Sequence, residues 1–294
     1  MIVGTFYFKQ KAREALRGNW QTALVVTFFS GIFLTLASVL QTLWLPDPVV
    51  YVSYGMYDRF TVEISAVADS EWMWLGVVSV LSLLLSPALA LGCNRYFIHL
   101  LRGEDIGVKS GLLGRMRILF KAVWLYVVMG VRIFLWSLLL VVPGILAAIR
   151  YSMAPYYMAQ NPELSASEAI AKSKAIMTRN QKFTYVGLMI SFIGWSLLAN
   201  VAQMFLMSIS TVVALVAAQF MQVAISAYMN GACASFFLTI STKEGRNDAQ
   251  RAMRTQMEKM GMDMDGAGMD GAELDDGPEV GAKQDEQDDQ GEPQ

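Results

Sequence analysis

Residues 22–45 read TALVVTFFSGIFLTLASVLQTLWL, a run without a single charge. A helix of that length is long enough to cross a hydrocarbon core of about 30 Å. What brackets the run settles the class. Before it stand Lys9, Lys11, Arg13 and Arg17. After it, residues 46–71 carry five acids (Asp47, Asp58, Glu63, Asp69, Glu71) against Arg59 alone. Trp44, Trp72 and Trp74 flank the acidic stretch, as side chains of an interfacial aromatic belt do. A basic near side and an acidic, Trp-flanked far side mark a first span leaving the cytoplasm.

The alternation continues along the chain. Of the 22 Lys and Arg before position 260, nineteen fall in four clusters separated by apolar stretches. They are Lys9/Lys11/Arg13/Arg17, Arg95/Arg102/Lys109/Arg115/Arg117/Lys121, Lys172/Lys174/Arg179/Lys182 and Lys243/Arg246/Arg251/Arg254/Lys259. Cytoplasmic loops carry the excess of Lys and Arg, so all four clusters are expected on one side. The chain is 54% hydrophobic with a mean hydropathy of +0.39. Soluble domains hold about 45–50% apolar residues even counting Gly.

The expected fold is therefore all-α: a polytopic helical membrane protein in a cell membrane, with both termini cytoplasmic. The six expected spans are 22–45, 73–93, 118–141, 144–160, 184–206 and 209–240, within a transmembrane domain of 22–246. Val142-Pro143-Gly144 is a turn signal between two basic flanks, so 118–160 reads either as a two-span hairpin or as a re-entrant segment.

Two interfacial helices are expected. In 1–21, Lys9, Arg13 and Arg17 repeat at i+4 beside a stripe of Phe8, Ala12, Leu16 and Trp20. That pattern suits a helix lying in the interface, or a cytoplasmic extension of the first span. In 165–180, Ser165 and Glu168 fit a capping box, and Glu168 and Lys172 an i,i+4 pair.

The net charge of −2 averages two unlike parts. Residues 260–294 hold twelve acids and only Lys283 as a base, so residues 1–259 carry 22 bases against 13 acids, a balance of +9. The tail 247–294 is polar and acidic and is expected to be disordered. The body suits an anionic leaflet. Membrane lipids are the expected partner, with Lys9, Arg13, Arg17, Lys172, Lys174 and Arg179 as headgroup contacts. A protein partner or a second copy is also compatible with the pattern; nucleic acid is not expected.

Arg132 and Arg150 are the only charges well inside the expected spans, and an intramembrane charge marks a candidate site. The turn at 142–144 would put them at similar depth. The outcomes open to them are snorkelling, a polar network with Tyr151, Asn200 or Gln203, or a ligand site. Ala227, Gly231 and Ser235 form a small-residue face for close helix packing, while Asn200, Gln203, Gln219, Gln222 and Asn230 read as interhelical glue.

Catalytic constellations are missing. His99 is expected at the membrane edge beside basic residues, with no carboxylate or Cys neighbour, and the chain has no P-loop, HExxH or GxSxG. Cys93 and Cys233, without a CxxC, read as small buried hydrophobes. Asp263-Met264-Asp265 starts like a calcium loop but places Ala267 and Leu274 where ligands belong. No enzyme activity, cofactor or metal is expected.

Several motifs carry a resemblance. They are Pro143-Gly144-Ile145, Arg150-Tyr151-Ser152, Asn161-Pro162-Glu163-Leu164-Ser165-Ala166, Ser173-Lys174, Ser191-Phe192-Ile193-Gly194-Trp195 and Ala15-Leu16-Arg17-Gly18-Asn19-Trp20. With these, residues 6–200 resemble the DUF975 family of bacterial integral membrane proteins. Residues 199–230 lack the family's later elements. The resemblance implies a bacterial cytoplasmic membrane and no established biochemical function. A remote similarity to the membrane domain of glycerophosphodiester phosphodiesterases implies a lipid-related role. Against the lipid- or partner-binding reading stands a transporter component, with Arg150 contacting an anion between spans.

Overall fold

The computed structural model describes residues 4–44, 50–54, 60–64, 69–104, 106–114, 116–242, 245–251 and 255. The acidic tail from 256 onward lies outside these residues. Among the described residues the regular structure is helical apart from one ribbon: α1 (Thr5–Leu16), α2 (Trp20–Trp44), α3 (Asp69–Leu101), α4 (Gly107–Leu113), α5 (Leu119–Leu139), α6 (Val141–Tyr151), α7 (Ala154–Gln160), α8 (Ala166–Ile176), α9 (Arg179–Met207) and α10 (Thr211–Ser241). Between α2 and α3, where a plain loop was expected, β1 (Val50–Tyr54) pairs antiparallel with β2 (Phe60–Ile64). Both strands are rich in the Val, Tyr, Phe, Thr and Ile that pleated ribbons favour.

Four helices among the described residues are long and apolar enough to cross a membrane: Gly76–Leu101, Leu119–Leu139, Arg179–Met207 and Val216–Ser241. The long helices pair as three hairpins, α2 with α3, α5 with α6, and α9 with α10. Each hairpin opens onto basic clusters. Tyr96 Oη donates to Thr22 Oγ1 at 2.7 Å across the open end of α2/α3. Lys121 Nζ donates to the Pro162 carbonyl at 3.4 Å at the open end of the second hairpin. The Tyr185 and Phe236 rings lie 5.6 Å apart near that of the third.

The short helices fill the space where these ends meet. Phe8, Phe97, Phe236 and Phe237 are fully buried there, each contributing about 1.5–3 kcal/mol by leaving water. Phe237 stacks on Tyr156 and meets Tyr157 edge-on, tying α10 to α7. Gly92 of α3 lets α4 come close: a Cβ there would stand 2.3 Å from the Leu112 carbonyl oxygen. The expected small-residue face does the same for α1. Ala227, Gly231 and Ser235 are buried, with the Gly231 position 3.4 Å from Ala12 Cβ and 3.7 Å from Phe97 Cδ1. The packing lies within the chain.

Three expectations about the elements are corrected. The first concerns α1, which is neither an extension of α2 nor a helix resting its apolar stripe on lipid. Gly18, at φ 86°, turns the chain between the two helices, and Phe8, Ala12 and Leu16 are buried against the bundle. Gly takes that left-handed conformation without the Cβ clash other residues meet there. Second, the expected single span 144–160 is two short helices, α6 and α7, separated at Ser152 and Met153. Third, α8 ends at Ile176 and Arg179 opens α9 instead of closing the interfacial helix. Asn161-Pro162 does end α7, and the Ser165/Glu168 capping box does start α8. Thr178 and Gln181 form a second capping box at α9.

Candidate functional site: the basic rim around the hairpin ends

The candidate headgroup residues sit on α1, on α8 and at the start of α9. Arg13 and Arg17 are exposed on α1 and line, with Phe6, Lys9, Gln10 and Glu14, an open groove of about 290 Å³. Glu14 in that groove accepts from Gln10 Nε2 at 2.9 Å and forms no ion pair with either arginine.

Lys9 behaves differently from its two helical neighbours. Its ammonium donates to Ser191 Oγ on α9 and lies 4.8 Å from the centre of the Phe192 ring. Its carbonyl accepts from Tyr228 Oη of α10 at 3.2 Å. Burial lowers its pKa. Lys9 is thus a half-buried clasp between α1, α9 and α10, where a headgroup contact was expected. Sequence spacing put it in line with Arg13 and Arg17. The signal that separates it is Ser191, a lone hydroxyl within the SFIGW run.

On α8, Lys174 Nζ lies 5.3 Å above the ring of Tyr151, which is itself buried, and Lys172 is half-buried. The expected pairing of Lys172 with Glu168 does not form an ion pair. The Glu168 carboxylate is committed to its helix cap, accepting from the Ser165 backbone N–H at 2.8 Å, and that bond holds its pKa below the ordinary value. Ser173 Oγ joins α8 to the α6–α7 junction: it donates to the Arg150 carbonyl at 2.7 Å and accepts from the Met153 N–H at 3.2 Å.

Arg132 is half-buried on α5 and Arg150 exposed on α6. The structure does not bring their side chains to Asn200 or Gln203. Asn200 Nδ2 donates to the Ser196 carbonyl of its own helix, so the expected interhelical network is not built there. Asn230 is glue as expected, its amide 3.7 Å from Cys93 Sγ across α10 and α3. Cys93 and Cys233 are free and buried, matching their reading as small hydrophobes.

His99 is corrected. Its Nδ1 lies 2.5 Å from Glu104 Oε2, and that bond lowers the Glu104 pKa. The turn Arg102-Gly103, with Gly103 at φ 79°, folds Glu104 back onto the end of α3, a proximity five residues of separation do not announce. Among the described residues no Lys or Arg lies within 4 Å of a carboxylate; the close His99–Glu104 contact is a hydrogen bond. The rim therefore carries cations that make no direct ion pair among the described residues, with Glu14 and Glu168 as the nearby acids. Above it, helix surfaces present Leu, Val, Phe and Trp side chains, among them Trp195, Leu197 and Leu198 on α9 and Trp124 and Phe134 on α5.

Cations next to apolar legs, with short helices between, are what the central motif run encodes. Residues 137–244 match the DUF975 family, described as a protein of unknown function. The DUF975 stretch takes in the α5/α6 turn, α7, α8 and both legs of the third hairpin. Its extent differs from the expected 6–200. The Ala15–Trp20 motif lies outside it, and 199–230, expected to depart from DUF975, lies within it. No curated protein and no solved structure matches the chain.

Proposed function

We propose that the protein is a non-enzymatic, multi-pass component of a bacterial cell membrane that binds anionic lipid along its basic rim, with both termini on the cytoplasmic side. The observation that carries this reading is a rim whose cations make no direct ion pair. Arg13, Arg17, Lys172, Lys174 and Arg179 surround hairpin ends whose legs expose apolar side chains, and no described carboxylate pairs with them. Such cations lower their free energy by facing lipid phosphates, at about 1 kcal/mol for each one near an anionic surface. The apolar legs supply the anchoring.

Transport of an anion rests on Arg150 lying between helices, and its exposed side chain supports the lipid-facing reading instead. The test is native mass spectrometry of protein extracted gently from its membrane, comparing wild type with a variant in which Arg13, Arg17, Lys172, Lys174 and Arg179 are Gln. The reading expects retained anionic lipid in the wild type and a several-fold loss in the variant. Equal retention would refute it. A stoichiometric protein partner in place of lipid would make the chain a subunit.

A further inference from the structure

We propose that the α5–α6 hairpin is a re-entrant wedge. It enters the hydrocarbon from the basic face, turns at Leu140 inside it and returns to the same face, with Arg132 and Arg150 holding anionic headgroups of that leaflet. This rests on the membrane reading above and adds a site and a depth to it.

The turn itself is built for hydrocarbon. From Ile133 to Ile149 the polar side-chain groups are the Ser137 hydroxyl and the Trp136 indole N–H, and no residue is charged. Phe134, Leu138, Leu139, Leu140, Val141 and Val142 are all exposed. The acidic, Trp-flanked link after the first span shows what this chain places at an aqueous turn; here it places Leu and Val. Leu140 is the single extended residue between the legs, and both its backbone groups are used. Its N–H donates to the Trp136 carbonyl at 3.2 Å, and its carbonyl accepts from the Gly144 N–H at 3.3 Å. Pro143 brings no N–H. Inside lipid, backbone groups must be satisfied internally.

The length available is half a membrane. On α5 the buried residues are Ala122, Leu125 and Met129, all in its first half, and α5 packs on α3 and α8. On the return leg, α7 is buried on every side from Ala154 to Ala159. What projects is α6 and the matching end of α5. Eleven helical residues rise about 16 Å, against a hydrocarbon core of about 30 Å.

The arginines mark the entry line. Gly144 packs on Ser137, and Lys121 reaches Pro162, so the legs run antiparallel in a register that sets Arg132 opposite Ile149, one residue from Arg150. Arg150 is fixed to α8 through Ser173, and Lys174 lies over the adjoining Tyr151. The pair therefore stands beside the charged helix α8, about 12 Å below the turn. A hairpin crossing the whole membrane from Lys121 would drag both arginines towards its centre, where charges are costly.

Single cysteines at Leu138, Leu140 and Val142, in a Cys93→Ala/Cys233→Ala background, test the wedge in sealed vesicles. Lys121→Cys marks the basic face. The expected result is no labelling by a membrane-impermeant maleimide from either side until detergent is added, with Lys121→Cys labelled from one side. Labelling at the turn from the side opposite Lys121→Cys would overturn the proposal in favour of a full crossing. Labelling from the same side would overturn it by placing the hairpin outside the membrane. Three exposed positions guard against one variant misfolding. For the headgroup contact, Arg132→Gln/Arg150→Gln should retain several-fold less anionic lipid in native mass spectrometry; unchanged retention would overturn that part. Release of the whole protein from membranes by alkaline carbonate would instead defeat the underlying membrane reading.

Discussion

Two glycines in the second hairpin should respond to the same substitution with opposite signs. A Cβ at Gly144 would stand 2.0 Å from Ser137 Oγ and 2.9 Å from Ser137 Cα, whereas a Cβ at Gly130 meets nothing within 4 Å. Both lie in helices, where Ala is preferred over Gly by about 1 kcal/mol. For Gly130→Ala that preference stands alone, and stability should rise by about 0–1 kcal/mol. For Gly144→Ala it opposes an overlap with a neighbouring helix backbone, and forcing extra volume into packed contact costs about 1–3 kcal/mol. The net for Gly144→Ala is a loss of up to about 2 kcal/mol, and a gap of about 1–3 kcal/mol should separate the variants. A gap of 2 kcal/mol changes the folded-to-unfolded ratio about 30-fold. Thermal unfolding of both variants and wild type in one detergent, at a fixed lipid ratio, reads this directly. A Gly144→Ala protein as stable as Gly130→Ala would mean that the legs do not touch at Ser137, and the hairpin register would fall with it.

Other consequences follow from the core and caps. Phe237→Ala should cost about 3–5 kcal/mol, because the ring is fully buried between Tyr156 and Tyr157; a drop below about 1 kcal/mol in the same assay would contradict that packing. Ser165→Ala should lose about 1 kcal/mol by leaving the Glu168 N–H uncapped, and an unchanged Tm would count against the cap. The Glu168 pKa is depressed in the fold, so its contribution is fully present above the ordinary value of 4.5 and fades as pH falls through the lower folded value. A Glu168→Gln protein should lack that acid-side loss, and matching pH profiles would exclude it. Cys93 and Cys233, both buried, should react with a small maleimide only after unfolding, so rapid labelling of native protein would contradict their placement.

The sequence was most legible where one physical period dominated. Uncharged runs bounded by basic clusters located α2, α3, α5, α9 and α10, and Ser165 with Glu168 located the start of α8. The Val142-Pro143-Gly144 signal pointed to a break in this region, but the chain turns at Leu140 and residues 142–144 lie inside α6. What remained hidden depends on contacts between distant residues. Phe8, Ala12 and Leu16 repeat as an interfacial helix would, and only Gly231, Phe97 and Phe236, far along the chain, show that protein covers that stripe. Lys9 shares a face with Arg13 and Arg17, yet Ser191 and Tyr228 claim it. The division of 144–160 follows from the burial of α7 against α3, α8 and Phe237, which apolar composition alone does not distinguish from burial in lipid. Arg150 reads as an intramembrane charge by distance along the helix; the Ser173 bond that sets it beside α8 spans 23 residues.

The central claim is that the open ends of all three hairpins, with their four basic clusters, lie on one face of a membrane. The most direct measurement is sided labelling of single cysteines at Arg17, Lys109, Arg179 and Arg246, one per cluster, in sealed vesicles of known orientation. All four should react with an impermeant maleimide from the cytoplasmic side and none from the other. Any cluster labelled from the opposite side would contradict the account.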